Sequence, residues 1–424
     1  MHILHINTLD KTGGAAKAMY RLHQGFMRLG HESRLLVGQR VSEEKGIYAL
    51  NEQLRGIKDF KNRAIDFVGY RLDKWLGIDG WKNYSTRLIP KLEVFKKADV
   101  INLHNLHGGY FNFKSLMELA RFKPIVWTLH DMWAMTGHCA YAYDCEKWKT
   151  GCDDCPLLKG EFRNLVEPAP PFRDNTRKIW KAKRKIYEKM RISVITPSKW
   201  LFNLAKQSIL SPNSEIFHIP NGVDTNVFRP LDTNLARKAL DLPLDKKIIF
   251  FSAHAASHDR KGFKYLLEAL EELRGIDDDL FLLISGYGQL GLKLTSMNFK
   301  ARFLGPLFDE KLQRLALAAS DLFVFPTLAD NHPLVLLEAM ACGIPAVSFD
   351  IGGVPEIVRH METGYLAKYK VSSDLARGIR LLLKNAPLRT RMKTKCREFA
   401  VSQFSLEVQC KKYLEVYDKT KVEL

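Results

Sequence analysis

A chain of 424 residues is long enough for two domains of ordinary size, and 46% hydrophobic residues can supply a large core. Lysine and arginine outnumber aspartate and glutamate by 65 to 47. The formal net charge of +18 favours anionic partners: nucleic acid, acidic lipid or phosphorylated small molecules. No apolar run approaches the roughly 18 residues of a membrane-spanning helix, and the opening MHILHINT alternates like a strand rather than a secretory leader, so a cytoplasmic protein with reduced cysteines is expected.

In chain order, strands are predicted at HILHINT (2–8), SRLLVG (33–38), DVINLH (99–104), PIVWTLH (124–130) and SVITPS (193–198). Helical patterns follow Gly13-Gly14 and recur near 54–76, 112–121 and 174–190. The second half is more regular: KIIFFSAH, LFLLISG, ARFLG, DLFVFP and PAVSFD are short apolar runs separated by helical patterns. Such alternation predicts an α/β chain with parallel sheets covered by helices on both faces. The break lies in IPNGVDTNVFRPLDTN (219–234), rich in Pro, Asn, Asp and Gly. Two doubly wound, Rossmann-like domains are therefore expected, 1–222 and 223–404, with a last helix over 405–424 able to pack back on the first. Open parallel sheets bind ligands at the carboxyl ends of their strands. Two such edges facing across a cleft would enclose one ligand.

Arg260, Lys261 and Gly262 follow the first strand of the second domain and precede a helix, where a phosphate would sit. An exposed basic turn would read the same way. Further on, DNHPLVLLEAMACGIP (330–345) reads as a loop, a helix and a turn. Pro333 fits the first helical position, and Leu334 to Ala341 is apolar all round except for Glu338. A buried carboxylate needs a partner, and a ribose offers two adjacent hydroxyl donors. Asp330 could accept from sugar hydroxyls, while Asn331, His332 and the helix start could face phosphates or a sugar. The plainer alternative pairs Glu338 with a nearby cation and lets Asp330 cap the helix. Gly13 and Gly14 could admit a phosphate to backbone amides or form a plain turn. His130, at a strand end beside Asp131, lines the expected cleft or fills the core.

The segment DNHPLVLLEAMACGIPAVSFDIGGVPEIV resembles the E-x7-E region of the retaining family 4 glycosyltransferases, which have the GT-B fold. ITPSKWL, IPNGVDTNVF, RKGF and ARFLGPL fall in that family's order. The resemblance implies transfer of a sugar from a nucleotide diphosphate donor, a UDP- or GDP-sugar, to an acceptor hydroxyl with retained configuration and without a catalytic metal. It implies a phosphate-binding role for Lys261, a ribose-binding role for Glu338 and a place beside the donor sugar for His130. Asp330 stands where the family usually has a glutamate, one methylene longer. Ala253-His254 stands where many relatives have Gly-Arg, and Arg260 is a candidate for the missing cation.

Four cysteines, Cys139, Cys145, Cys152 and Cys155, fall within 17 residues. Four thiolates can hold one structural zinc, although unpaired structural thiols fit the spacing as well. Residues 173–191 carry nine Lys or Arg and two acids. Leu54, Ile57, Phe60, Ala64, Val68, Leu72 and Trp75 form a helical stripe beside cations. Basic amphipathic helices bind anionic membrane surfaces, so a lipid-linked or saccharide acceptor at the inner face of the membrane is expected. Two rivals are a non-hydrolysing nucleotide-sugar epimerase and a polyanion-binding protein. The first needs extra acid/base carboxylates. The second needs aromatics closely interleaved with cations, and Phe172, Trp180 and Tyr187 are widely spaced, so nucleic acid is not an expected partner.

Overall fold

The computed structural model describes residues 1–55, 68, 69, 71, 73, 75, 76, 78, 80, 81, 83–159, 173–255, 259–273, 279–287 and 299–422. Most of the stripe predicted over 54–76 lies outside these residues, as does Phe172. The chain divides into two compact units, Met1–Pro220 with Gln409–Leu424, and Asn221–Val408.

The first unit is built on a seven-stranded, wholly parallel sheet. Its strands are β1 (His2–Leu9), β2 (Glu32–Gln39), β3 (Ile47–Ala49), β4 (Val100–Leu103), β5 (Ile125–Thr128), β6 (Ile192–Thr196) and β7 (Ser214–His218), in the order β3-β2-β1-β4-β5-β6-β7. Helices cover both faces, which is why the central strands are apolar runs without alternation. Every residue of β4, β5 and β6 is buried. Helix α1 (Gly14–Arg28) turns Ala18, Met19, Leu22 and Phe26 inward at helical spacing. Burying a side chain such as Phe26, 0% exposed, contributes about 2 kcal/mol. Helix α2 (Thr176–Tyr187) buries Ile179, Trp180, Ile186 and Tyr187 and leaves its cations outside, except Lys183.

The second unit has a six-stranded parallel sheet: β8 (Lys247–Ala255), β9 (Leu280–Tyr287), β10 (Ala301–Phe303), β11 (Leu322–Phe325), β12 (Ala346–Phe349) and β13 (Gly364–Ala367), in the order β10-β9-β8-β11-β12-β13. Helix α3 (Phe263–Leu273) follows β8, and α4 (Leu334–Ala341) joins β11 to β12. Helix α5 (Ala386–Phe404) packs on α4.

Helix α6 (Leu406–Val422) begins in the second unit, where the Leu406 amide donates to the Val223 carbonyl at 3.2 Å. From Gln409 it belongs to the first. There Tyr417 accepts from Asn102 Nδ2 at 2.7 Å, and the Tyr413 hydroxyl lies 3.2 Å from Thr128 Oγ1. These are phenols buried with hydrogen-bond partners, as large amphipathic rings require.

Strands β3, β7 and β13 have no counterpart in the predicted set. They form the sheet edges, except for the edge held by β10. All five residues of β7 are only partly buried, and β3 has three residues. Short edge strands lack the long apolar run that made the central ones readable. In both units the strand order reverses next to the first strand, between β1 and β4 and between β8 and β11. Such a reversal is where loops diverge and leave a crevice for ligand. Among the described residues no helix is long and apolar enough to cross a membrane.

Candidate active site

In the second unit, β8 leads to a short 3-10 turn, Asp259–Lys261, and then to Gly262. Gly262 has φ +68°, and a Cβ there would lie 1.7 Å from the Pro326 carbonyl oxygen, so only glycine lets this turn lie against the exit of β11. The turn is stitched to the loop after β11. The Leu328 amide donates to the Arg260 carbonyl at 2.8 Å, and Thr327 Oγ1 lies 3.2 Å from the same oxygen.

That stitching brings together three of the charged residues singled out from the sequence. Lys261 Nζ lies 2.9 Å from Asp330 Oδ2, and Arg260 Nη1 lies 3.5 Å from the same oxygen while donating to the Ala329 carbonyl at 2.9 Å. Asp330 is 13% exposed. Burial works against its charged form, but Lys261, Arg260 and the Asn331 amide together outweigh it and hold the carboxyl below the usual range. Asp330 thus serves as counter-ion to both cations rather than as a helix cap. Its backbone is pinned as well: its carbonyl accepts from the Gly353 amide at 3.2 Å, and a Cβ on Gly352, at φ +57°, would lie 2.2 Å from that oxygen. Thr327, Gly352 and Tyr369, whose hydroxyl donates to the Leu328 carbonyl at 3.1 Å, support the loop and were not singled out. The glycine pair following β12 was the available signal.

Pro333 stands one residue earlier than expected. It is the N-cap of α4, with ψ 120°, and the helix starts at Leu334. Seven of the eight residues of α4 are buried, and Glu338 is 0% exposed. The all-round apolar pattern therefore does mark a buried helix. Asn331 and His332, 2% and 4% exposed, sit inside the loop; the His332 carbonyl accepts from Asn221 Nδ2 at 3.0 Å.

In the first unit, Gly13 is the N-cap of α1 at φ +94°, and a Cβ on Gly13 or Gly14 would meet nothing within 4 Å. The two glycines thus leave open space before the first amides of α1. His130 follows β5 on the wall of a recess shared with His104, His107, Asp131 and Trp133. Asp131 Oδ2 lies 3.2 Å from His107 Nε2, and its Oδ1 accepts from the Trp133 amide at 2.8 Å. His130 is one end of a histidine series. Its Nε2 lies 2.9 Å from His104 Nδ1, and His104 Nε2 lies 3.0 Å from His5 Nδ1. Burial lowers the pKa of His130 to about 4 and pushes His104 and His5 well down, so all three are neutral near pH 7. His5, His104 and His107 were not singled out. The readable signal was a histidine at the same depth in three neighbouring strand segments, HILHINT, INLHNLH and TLHD.

Cys139, Cys145, Cys152 and Cys155 lie within electrostatic reach of one another, and among the described residues no group of three or more His, Cys, Asp or Glu side chains is arranged as it stands to hold a metal ion. They pack as small apolar groups, Cys139 within the core of the first unit and the other three against it. Burial pushes the Cys152 thiol up to about 12, and Cys139 and Cys155 upward too; the Gly137 amide donates to Cys152 Sγ at 3.2 Å. A buried cation also orders the loop. Lys183, 0% exposed, donates to the Trp133 and Thr136 carbonyls and lies 3.6 Å over the Trp133 ring.

The family model described as "Glycosyltransferase Family 4" matches residues 12–227, and that described as "Glycosyl transferases group 1" matches 232–399. A protein of Escherichia coli K12 described as a colanic acid biosynthesis glycosyl transferase, WcaC, is 26% identical over 377 residues, 85% of each chain. Among solved structures, sucrose-phosphate synthase of Thermosynechococcus elongatus superposes with a TM-score of 0.71 over the whole of both chains at 16% identity. Anabaena HepE, in complex with UDP-glucose, gives 0.64 over 99% of this chain and 100% of that one, also at 16%. At such identities the likeness establishes the shared fold.

Proposed function

The chain belongs to Glycosyltransferase Family 4 and is a retaining glycosyltransferase with the GT-B fold, and we propose that it transfers a sugar from a UDP-sugar to a saccharide acceptor in polysaccharide assembly. The observation that carries the donor reading is the pair of cations, Lys261 and Arg260, held at the β8/β11 switch point by one shared carboxylate. A diphosphate offers them the same charge in a larger package. When the sugar–phosphate bond breaks, negative charge grows on the departing diphosphate, and preorganised cations stabilise it at no further cost of reorganisation. Asp330, kept ionised by those cations, can accept hydrogen bonds from sugar hydroxyls. Glu338 can accept both ribose hydroxyls.

The uridine choice follows the UDP-glucose bound to Anabaena HepE, and the acceptor class follows the description of WcaC. The exposed cations of α2 support an acceptor presented at an anionic membrane surface, on the cytoplasmic side. Neither rival gains support: the carboxylates near the site are those the transferase reading uses. Thermal-shift measurements with UDP, GDP and ADP test the proposal. UDP should raise the melting temperature most, and Lys261→Ala should abolish the rise. A protein indifferent to all three nucleotides would refute the donor reading.

A further inference from the structure

The histidine series constrains itself. A neutral imidazole carries one N–H, so it donates from one nitrogen and accepts at the other. His104 is bonded at both nitrogens, to His130 at 2.9 Å and to His5 at 3.0 Å. Its single proton can serve one of these bonds, and its neighbour must supply the other. Both bonds therefore run in the same direction along the series. Either every proton points inward and His130 Nδ1 is bare, or every proton points outward and His130 Nδ1 carries hydrogen.

The inner end decides between them. His5 is 0% exposed, and its Nε2 has no hydrogen-bond partner among the described residues. The inward arrangement puts a proton on that nitrogen and buries an orphaned N–H. The outward arrangement leaves only a bare acceptor nitrogen there. Orphaned buried donors are the rarer of the two, so the outward arrangement has the lower free energy. The rings are not free to avoid the choice. The His104 amide donates to the Ile6 carbonyl at 2.9 Å, Trp127 Nε1 donates to the His104 carbonyl at 2.8 Å, and the His104 and His130 ring planes lie 18° apart. Phe26 closes the inner side, stacked on His5 with 6.0 Å between centroids. The dead end also means that the series has no exit for a proton. It fixes a tautomer; it does not conduct.

We propose that His5 and His104 are positioning residues that fix His130 with its proton on Nδ1, so that His130 donates one hydrogen bond to a saccharide oxygen and does not serve as a base. The role at a saccharide rests on the glycosyltransferase reading. The tautomer is a property of the protein alone and can be measured without substrate.

The measurement is a multiple-bond proton–nitrogen correlation on the full chain labelled with nitrogen-15 histidine at pH 7.5. The His130, His104 and His5 signals are identified by their loss in His130→Gln, His104→Gln and His5→Leu. All three rings should show the Nδ1–H pattern. A His130 ring with its proton on Nε2 overturns the proposal. His5→Leu should convert His130 to a mixture of tautomers and lower kcat about tenfold while leaving KM for the donor within twofold. His5→Asn sets an amide N–H where Nδ1–H stood and should restore both the Nδ1–H pattern and most of kcat. A folded His5→Leu protein whose His130 remains wholly Nδ1–H removes His5 from the mechanism. If His5→Leu does not fold, the wild-type spectrum, with His5 then identified by the signal lost in His5→Asn, decides by itself.

Discussion

The two switch points hold opposite kinds of buried titratable group. Between β8 and β11 the groups are ionised: Lys261 and Arg260 share the carboxylate of Asp330. Between β1 and β4 they are neutral: His5, His104 and, after β5, His130 stand in hydrogen-bonded series. The same address in the same kind of sheet thus does two jobs. An ion pair is exchangeable, because an anionic ligand can take over the cations from the carboxylate. A buried neutral series cannot be exchanged in this way and holds one ring in one orientation. On the proposed reading, charge sits where a charged group must arrive and leave, and neutral donors sit where geometry alone is asked for.

The comparison breaks most visibly at Lys261. Lys261→Ala should lower kcat/KM roughly 100-fold, about 3 kcal/mol of barrier, because one preorganised cation opposite the leaving group is lost. Steady-state kinetics on the folded variant checks this, and near-normal turnover would remove the phosphate role. Asp330→Asn acts on the same cluster from the other side. It leaves two cations near each other without their shared anion, and should cost about 2 kcal/mol of stability at pH 7. The carboxyl has a lowered pKa in the folded state, so its contribution is complete above the unfolded value near 3.8 and is lost as pH falls through the folded one. Denaturant titrations should show the variant and wild type converging only at strongly acidic pH.

Glu338→Gln sharpens the question of what the carboxylate in α4 holds. Glutamine accepts at one oxygen only, so one ribose hydroxyl loses its partner. Calorimetry should find UDP affinity about tenfold weaker, near 1.4 kcal/mol. Unchanged affinity would make Glu338 a packing residue.

The two regions should also fail at different pH. His23 and His130 have folded-state pKa values near 4, below the 6.5 of an unfolded histidine, chiefly because of burial. Between pH 6.5 and 4 the unfolded chain binds protons that the folded first unit refuses. Stability is therefore complete above 6.5 and falls with pH across that window, by up to about 1.4 kcal/mol per pH unit for each such group. All seven tryptophans, Trp75, Trp81, Trp127, Trp133, Trp148, Trp180 and Trp200, belong to the first unit. Their fluorescence should report unfolding at progressively lower denaturant between pH 6.5 and 4. Far-ultraviolet circular dichroism, which also sees the second unit, should show a component that does not shift until pH drops below about 4. Coincident transitions at every pH would contradict the contrast between the units.

The charged site was more legible in the sequence than the neutral one. Arg260, Lys261 and Asp330 stand at strand exits, in loops where a charge advertises itself. Their convergence followed from β/α order and from the glycine at position 262. The histidine series was legible only in its outermost member. His5 and His104 lie in apolar strand segments, where a buried histidine and a functional one look alike. What joins them is register: His5 pairs with Asn102 in the ladder, which brings the end of β4 and the histidine after it alongside. One-dimensional spacing cannot show which strands are neighbours. The cysteine spacing was legible as proximity: the four thiols lie within electrostatic reach of one another, in or against the core of the first unit. Central strands were readable because both of their faces are apolar, and the edges β3 and β7 were not, because short half-covered strands carry no such run.

The smallest expected effect concerns a surface rather than a site. Helix α2 and the residues after it expose Arg177, Lys178, Lys181, Arg184, Lys185, Lys189 and Arg191. Arg184 is paired with Glu188 at 2.9 Å, and Arg177 lies 3.8 Å from Asp153, so Lys178, Lys181, Lys185 and Lys189 add most to the excess of charge on this face. Ile179, Trp180, Ile186 and Tyr187 all point into the unit, which leaves this face no apolar wedge to insert into a bilayer. Binding there should be electrostatic alone. Each cation near an anionic surface is worth about 1 kcal/mol, and screening over a Debye length of about 8 Å at physiological salt weakens it. Sedimentation with vesicles should find the chain on phosphatidylglycerol-containing vesicles at low salt, absent from purely zwitterionic ones, and released by about 0.5 M salt. Lys181→Ala or Lys185→Ala should each weaken partitioning about fivefold without changing turnover on a soluble acceptor, because neither residue belongs to the switch points. Salt-resistant binding would point to insertion of an apolar surface elsewhere in the chain, and equal partitioning onto both kinds of vesicle would take α2 out of any membrane role.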